Sequence, residues 1–278
     1  MPITIMPKAD IEKFVLVPAT GSHVYTSKTV DYRGKPIKNL TGYDEIRMAQ
    51  ALGLNTTSSA EWGKSRRYFQ DHPDQEFAGK RGADIEKDFI SRFVERTSTL
   101  LAFRGDSGDF AEDVHDLLKD AGFDGKIALI DFPYVQEESD IFIPGNPRMR
   151  IVDVSDKLPS KDGHIQAYDD DLGMPTKVGE EPNPDYYGAY FRIRPEGTRQ
   201  IIRCGWHWPL HEDRRFDVLA HWEPSRSDSH VASRLSSGNE PPSSELGKAR
   251  VLSARKEIVG VCERYGLNPD DILRDVKE

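Results

Sequence analysis

The sequence predicts an α/β protein, a central mixed sheet with helices on both faces, with an N-terminal helical region. Apolar residues recur at helical spacing over 43–69, 83–103 and 109–121. Strand-length apolar runs fall between and after them, at 126–132, 189–195, 198–204 and 216–222. Gly, Pro, Asn and Asp punctuate the joints. These patterns divide the chain into 1–104, an N-terminal part with paired helices and a long helix, and 105–278, an α/β core closed by a C-terminal helix.

The elements follow in order. KFVLV (13–17) and HVYTS (23–27) read as short strands, closed by Gly34 and Pro36. Helices are expected from Tyr43 to about Leu54 and from about Ser59 to Phe69, before HPDQ (72–75) breaks the pattern. Ile85, Phe89, Ile90, Phe93, Val94, Leu100 and Leu101 predict one long helix over 83–103, ended by RGDSGD (104–109). Phe110, Ala111, Val114, Leu117, Leu118 and Ala121 predict a helix over 109–121, with Gly122 as its stop. KIALIDF (126–132) is nearly all apolar, as a strand covered on both faces should be. DIFIP (140–144) and RMRIVDV (148–154) read as a hairpin across Gly145-Asn146-Pro147. Residues 155–187, rich in Asp, Gly and Pro, read as a long loop, and 225–247 as an exposed connection. A helix over 245–265 and a short one begun at Asn268-Pro269 close the chain.

Composition narrows the class. The chain has 278 residues, 37% hydrophobic and 31% charged, which suits a soluble globular protein and not a disordered one. No apolar run approaches the roughly 18 residues of a membrane span, and the first residues carry no signal-peptide pattern. Two distant cysteines, Cys204 and Cys262, suggest neither disulfides nor a zinc ribbon. A cytoplasmic location is expected. The formal charge is −9, but residues 105–185 carry 20 acids and 7 bases, while the rest carries 27 acids and 31 bases. An acidic centre with basic flanks suits a cation site within a phosphate-binding cleft, or a solvated acidic surface.

Within that centre, Glu112, Asp140 and Asp153 fall at the ends or inner faces of consecutive elements. In the expected hairpin Asp140 starts one strand and Asp153 ends its partner, so their carboxylates would lie close together. Such a group can hold hard cations such as Mg²⁺. The order helix, strand, hairpin resembles the PD-(D/E)xK nuclease superfamily, which includes many type II restriction endonucleases. The resemblance covers about 50 of the 278 residues. Ser139-Asp140 stands for the Pro-Asp, Asp153-Val154-Ser155 for the acid-x-Lys, and Glu112 for the helix acid. Ser155 thus occupies the Lys position, and Lys157 is the nearest replacement. The resemblance implies a restriction-endonuclease-like core and Mg²⁺-dependent cleavage of double-stranded DNA by a homodimer. Asp140, Asp153, Lys157 and Glu112 would be the catalytic residues, with the three acids holding the metal.

Two further segments bear on function. IRMAQALGLNTTSSAEW (46–62) is spaced like a helix-turn-helix, with Ala49 and Gly53 allowing close contact and a turn. Lys64, Arg66 and Arg67 on its second helix, with Ser58, Ser59 and Glu61 near its start, suit DNA contacts. A non-catalytic DNA-binding protein using 43–69 is therefore the competing reading. Residues 204–230 hold Cys204, His207, His211, His221 and His230, and Arg214, Arg215 and Arg226 suit phosphate contacts. Cys204, His207 and His211 could reach one Zn²⁺, which gives a third reading, a metal-dependent hydrolase.

Overall fold

The computed structural model describes residues 13–26, 31–32, 35–36, 41–51, 54–89, 94–131, 134–135, 142–143, 149–186, 188–194, 197–204, 217–222, 231–238 and 259. The chain begins with β1 (Phe14–Val17), β2 (Ser22–Tyr25), β3 (Asp31–Tyr32) and β4 (Lys35–Pro36). Helix α1 (Gly42–Ala51), β5 (Asn55–Thr56) and helix α2 (Ser59–Asp71) follow. The short ribbon β6 (Glu76–Phe77) and β7 (Lys80–Arg81) leads into α3 (Gly82–Phe89) and β8 (Val94–Phe103). Next come α4 (Glu112–Asp120), β9 (Ile127–Asp131), β10 (Tyr134–Val135), β11 (Phe142–Ile143) and β12 (Arg150–Asp153). The remaining strands are β13 (Gly163–Asp169), β14 (Met174–Gly179), β15 (Tyr190–Ile193), β16 (Thr198–Cys204), β17 (Asp217–Trp222), β18 (Val231–Ser233) and β19 (Leu235–Ser237).

The main sheet runs β12-β9-β8-β16-β17-β15-β13-β14, with β18 also on β8. It is mixed: β15 pairs with β17 and β18 with β8 in parallel, and the other pairs are antiparallel. A second sheet, β1-β2-β19-β5, and three two-stranded ribbons complete the described strands. One face of the main sheet packs Leu101, Phe103 and Leu129 with Trp62 and Phe69 of α2 and Ile85 and Phe89 of α3. The other packs Leu100, Ala102, Ala128 and Ile130 with Tyr43 and Ile46 of α1 and Val114, Leu117 and Leu118 of α4. The α/β class with helices on both faces therefore stands. Among the described residues no helix is long and apolar enough to cross a membrane.

Three expectations are corrected. The helix foreseen over 83–103 ends at Phe89, and Val94–Phe103 is the central strand β8. Its run Glu95-Arg96-Thr97-Ser98-Thr99 is buried, where a surface helix would expose it. The loop foreseen over 155–187 contains the hairpin β13–β14, and the connection foreseen over 225–247 contains β18 and β19. The expected C-terminal helices lie outside the described residues, Val259 excepted.

Strand β8 has two unlike halves. Over Thr99–Phe103 it pairs with β9, and its side chains are mostly apolar. Over Val94–Arg96 the same edge carries β18 instead. Glu95 and Arg96 are neighbours on a strand, so they point to opposite faces. Arg96 reaches Glu45 of α1, Nη1 to Oε2, at 3.3 Å, and Ser233 Oγ donates to the same oxygen. Burial pushes the Glu45 carboxyl above its usual range, and Arg96 opposes that push.

On the other face Glu95 takes an ion pair from Arg234 and a hydrogen bond from Trp62 Nε1. Arg234 is fully buried, stacks 3.9 Å from the Phe89 ring centre and donates to the Tyr25 carbonyl at 3.2 Å. One guanidinium thus ties the second sheet, α3 and β8 together.

Removing one partner of such a pair leaves the other charge buried and without its counter-charge. Arg234→Met should lower stability by about 3–5 kcal/mol in urea unfolding. Adding Glu95→Gln should recover more than half of that loss. A single variant within about 1 kcal/mol of the parent would contradict the role given to this pair.

Candidate functional site

The acidic edge foreseen in the sequence is built on β12, but with a different pairing. Arg150–Asp153 lies antiparallel to Ile127–Asp131, and Phe142–Ile143 pairs with Tyr134–Val135. Among the described residues, the foreseen pairing of 140–144 with 148–154 is therefore not formed. Strand β9 needs a second neighbour beyond β8, and β12 supplies one. The register is fixed by a cross-strand ion pair at Arg150↔Asp131. Arg150 Nη2 and Nε lie 2.5 and 2.9 Å from Asp131 Oδ2, and Thr99 Oγ1 donates to Oδ1 at 2.6 Å. Burial raises the Asp131 carboxyl, and Arg150 opposes it. Asp131 was missed because it ends an otherwise apolar run. An acid at the last position of a buried strand was the available signal.

Three residues along from Arg150, Asp153 points to the opposite face, which α4 covers, and is exposed. Its surroundings are specific. The carboxylate lies against the backbone of Gly125: a Cβ there would sit 2.5 Å from the Asp153 carboxyl carbon, so a larger residue would displace the carboxylate from this position. Arg104 holds that segment, donating to Gly125 O at 2.9 Å and Phe123 O at 3.2 Å. Ser155 donates to Asp153 Oδ1 through both its amide and its hydroxyl. The same hydroxyl accepts the amides of Lys126 at 2.8 Å and Ile127 at 3.0 Å. A hydroxyl has one proton and two lone pairs, so Ser155 is fully used in closing the start of β9. These two Ser155 bonds, and then the Lys157 charge, hold the Asp153 carboxyl below its usual range. Lys157 itself lies in the exposed turn after β12.

The other foreseen residues are placed as follows. Glu112 is the exposed first residue of α4, where it and Asp113 offset the partial positive charge of the helix start. Asp140 lies outside the described residues, as do His207, His211, Arg214, Arg215 and Arg226. Cys204 ends β16. The helices of the foreseen helix-turn-helix are α1 and α2, but β5 stands between them in place of a tight turn. Ser58 caps α2 by accepting the Glu61 amide at 3.1 Å, and Ser59 and Glu61 are buried, so the start of α2 faces the core. Lys64 pairs with Asp171 at 2.6 Å, Arg67 with Asp170 at 2.9 Å, and Arg66 approaches Glu86 at 3.8 Å. Among the described residues no three His, Cys, Asp or Glu side chains gather as a metal site.

Comparison of the chain with protein-family models, with curated proteins and with solved structures finds no match.

Ser155→Ala should move the Asp153 pKa up toward the ordinary carboxylate value, read by carbon-detected NMR titration. The sign follows from linkage: a lowered carboxylate pKa adds stability above its unfolded value, lost as pH falls through the folded one. The variant should lose the part of that pH dependence that the Ser155 hydroxyl supplies, while the residue-155 amide and Lys157 keep the rest. It should also lose about 1 kcal/mol for each hydrogen bond given up at the start of β9. An unmoved Asp153 titration would contradict the assigned contacts.

Proposed function

We propose that the chain is a Mg²⁺-dependent endonuclease that hydrolyses phosphodiester bonds of double-stranded DNA from the Asp153 edge of the sheet. The observation that carries this reading is the carboxylate of Asp153. It stands exposed at the end of β12, the outermost strand on this side of the main sheet, held ionised, with the Lys157 ammonium close enough to influence it. The placement of β12 beside β9, after α4 and the ribbon β10–β11 in the chain, supports a restriction-endonuclease-like arrangement of that edge.

An ionised oxygen donor at an open strand end fits a hard cation. Asp153, with Asp140 and Glu112, would hold Mg²⁺, which when bound supplies an acidified water and charge neutralisation at the phosphate. Lys157 stands two residues past the position of the family's Lys. It would steady the negative charge that develops on the phosphate oxygens as the bond breaks. Ser155 orients Asp153 and takes no part in the reaction, so Ser155→Lys would cost the strand closure it now provides. A cytoplasmic homodimer would bring two such edges to the two strands of a symmetric target.

One observation favours a second reading, a DNA-binding protein that does not cut. Ser155 occupies the place of the family's Lys and is committed to the fold. Incubation of the full chain with long mixed-sequence DNA, with and without Mg²⁺, separates the two. Discrete fragments that appear only with Mg²⁺ are expected. Asp153→Asn should abolish them without weakening DNA binding, and Lys157→Ala should slow cutting at least about 100-fold. DNA that is retarded in a gel yet stays intact would transfer the conclusion to the second reading.

A further inference from the structure

Lys64 and Arg67 lie three residues apart on α2, so their side chains leave the same side of the helix. Each meets a carboxylate from the turn between β13 and β14. Lys64 Nζ is 2.6 Å from Asp171 Oδ1, and Arg67 Nη2 is 2.9 Å from Asp170 Oδ2. From β12, Arg150 Nη1 donates to the Asp171 carbonyl at 2.6 Å. Two successive acids thus cover two cations of one helix face.

The backbone of this turn is seated on α2 by contacts that do not depend on those charges. Ser59 Oγ donates to the Gly173 carbonyl at 2.7 Å. Gly173 has φ +68°, and a Cβ there would lie 2.2 Å from the Ala60 nitrogen, so helix and turn touch backbone to backbone. Asp169 Oδ1 accepts the amides of Asp171 at 2.9 Å and Leu172 at 3.0 Å, and Leu172 and Met174 enter the core. The Asp170 and Asp171 side chains, by contrast, are 33% and 83% exposed. Exposed pairs of this kind contribute about 0–1 kcal/mol each. Both carboxylates can turn away without moving the backbone, and a phosphate offers the same cations more acceptor oxygens.

We propose that Asp170 and Asp171 occupy, in the free protein, the places of two DNA backbone phosphates on α2, so that the turn is a built-in competitor that limits DNA binding at this face. This rests on the DNA reading given above. Binding through Lys64 and Arg67 then requires expulsion of both carboxylates, which frees both cations for the duplex.

The test is the salt dependence of binding of the full chain to a fluorescently labelled mixed-sequence duplex, without Mg²⁺. Asp170→Asn/Asp171→Asn should tighten binding at low salt by at least about tenfold. It should also steepen the slope of log K against log salt by about 1.8, for two added phosphate contacts of about 0.9 each. Asp170→Asn alone should give about half of that change in slope. With Lys64→Gln/Arg67→Gln added, both the gain and the extra slope should disappear. A gain that persists without Lys64 and Arg67 would reflect only reduced negative charge and would overturn the proposal. Parent and neutralised variants that bind equally would overturn it and leave the DNA reading standing. Failure of every form to bind at low salt would overturn both.

Discussion

Arg96 and Arg234 are both fully buried, and an unpaired guanidinium at such a place would cost several kcal/mol. Each must therefore find its carboxylate inside the protein, and the elements that carry those carboxylates are fixed as a result. Arg96 sets α1 against β8 through Glu45, with Ser233 of β18 on the same oxygen. Arg234, between β18 and β19, sets the second sheet and α3 against the opposite face through Glu95, Phe89 and Tyr25. Hydroxyls serve other buried acceptors nearby: Ser98 Oγ donates to Thr56 O at 2.9 Å and Ser236 Oγ to Glu61 Oε2 at 2.9 Å. An apolar core tolerates exchange among residues of similar volume at modest cost, whereas a buried charge that loses its partner costs several kcal/mol.

This constraint separates two regions of the molecule. The ionic half of β8 meets α1 through Glu45 and α2 through Trp62, and α2 in turn seats the β13–β14 turn through Ser59 and Gly173. The apolar half, Leu100–Phe103, pairs with β9 and leads to the opposite end, where β9 begins and β12 ends. There Asp153 stands in solvent, braced by Ser155 and Gly125 and beside the turn that carries Lys157. Charge is thus buried and paired at one end of the sheet, and a carboxylate is exposed at the other.

Helices with one apolar stripe, α2 and α4, and the strand with a nearly continuous apolar run, β9, were legible because the local pattern and the final burial agree. Strand β8 was not, because Ile85, Phe89, Leu100 and Leu101 keep helical spacing across a real break, and buried Glu95 and Arg96 look like a solvated helix face. Their partners make sense of them only in three dimensions, and Arg234 lies 139 residues from Glu95. The Ser-rich segment at 231–237 misled for the same reason, since its hydroxyls serve buried carboxylates. At the candidate site, Asp153 was legible as a strand-end acid. The use of Ser155 as a strand closure was not, because it depends on the amides of Lys126 and Ile127 across the sheet.

The functional claim comes down to where a divalent cation binds. Line broadening by Mn²⁺ in the amide NMR spectrum of the full chain reads that location directly. The expected result is strongest broadening over 153–157, extending to the start of α4 at Glu112, relieved by excess Mg²⁺ and absent in Asp153→Asn. Broadening centred on the 169–171 turn or on 204–211, with Asp153 left sharp, would contradict the placement of the chemistry at the end of β12.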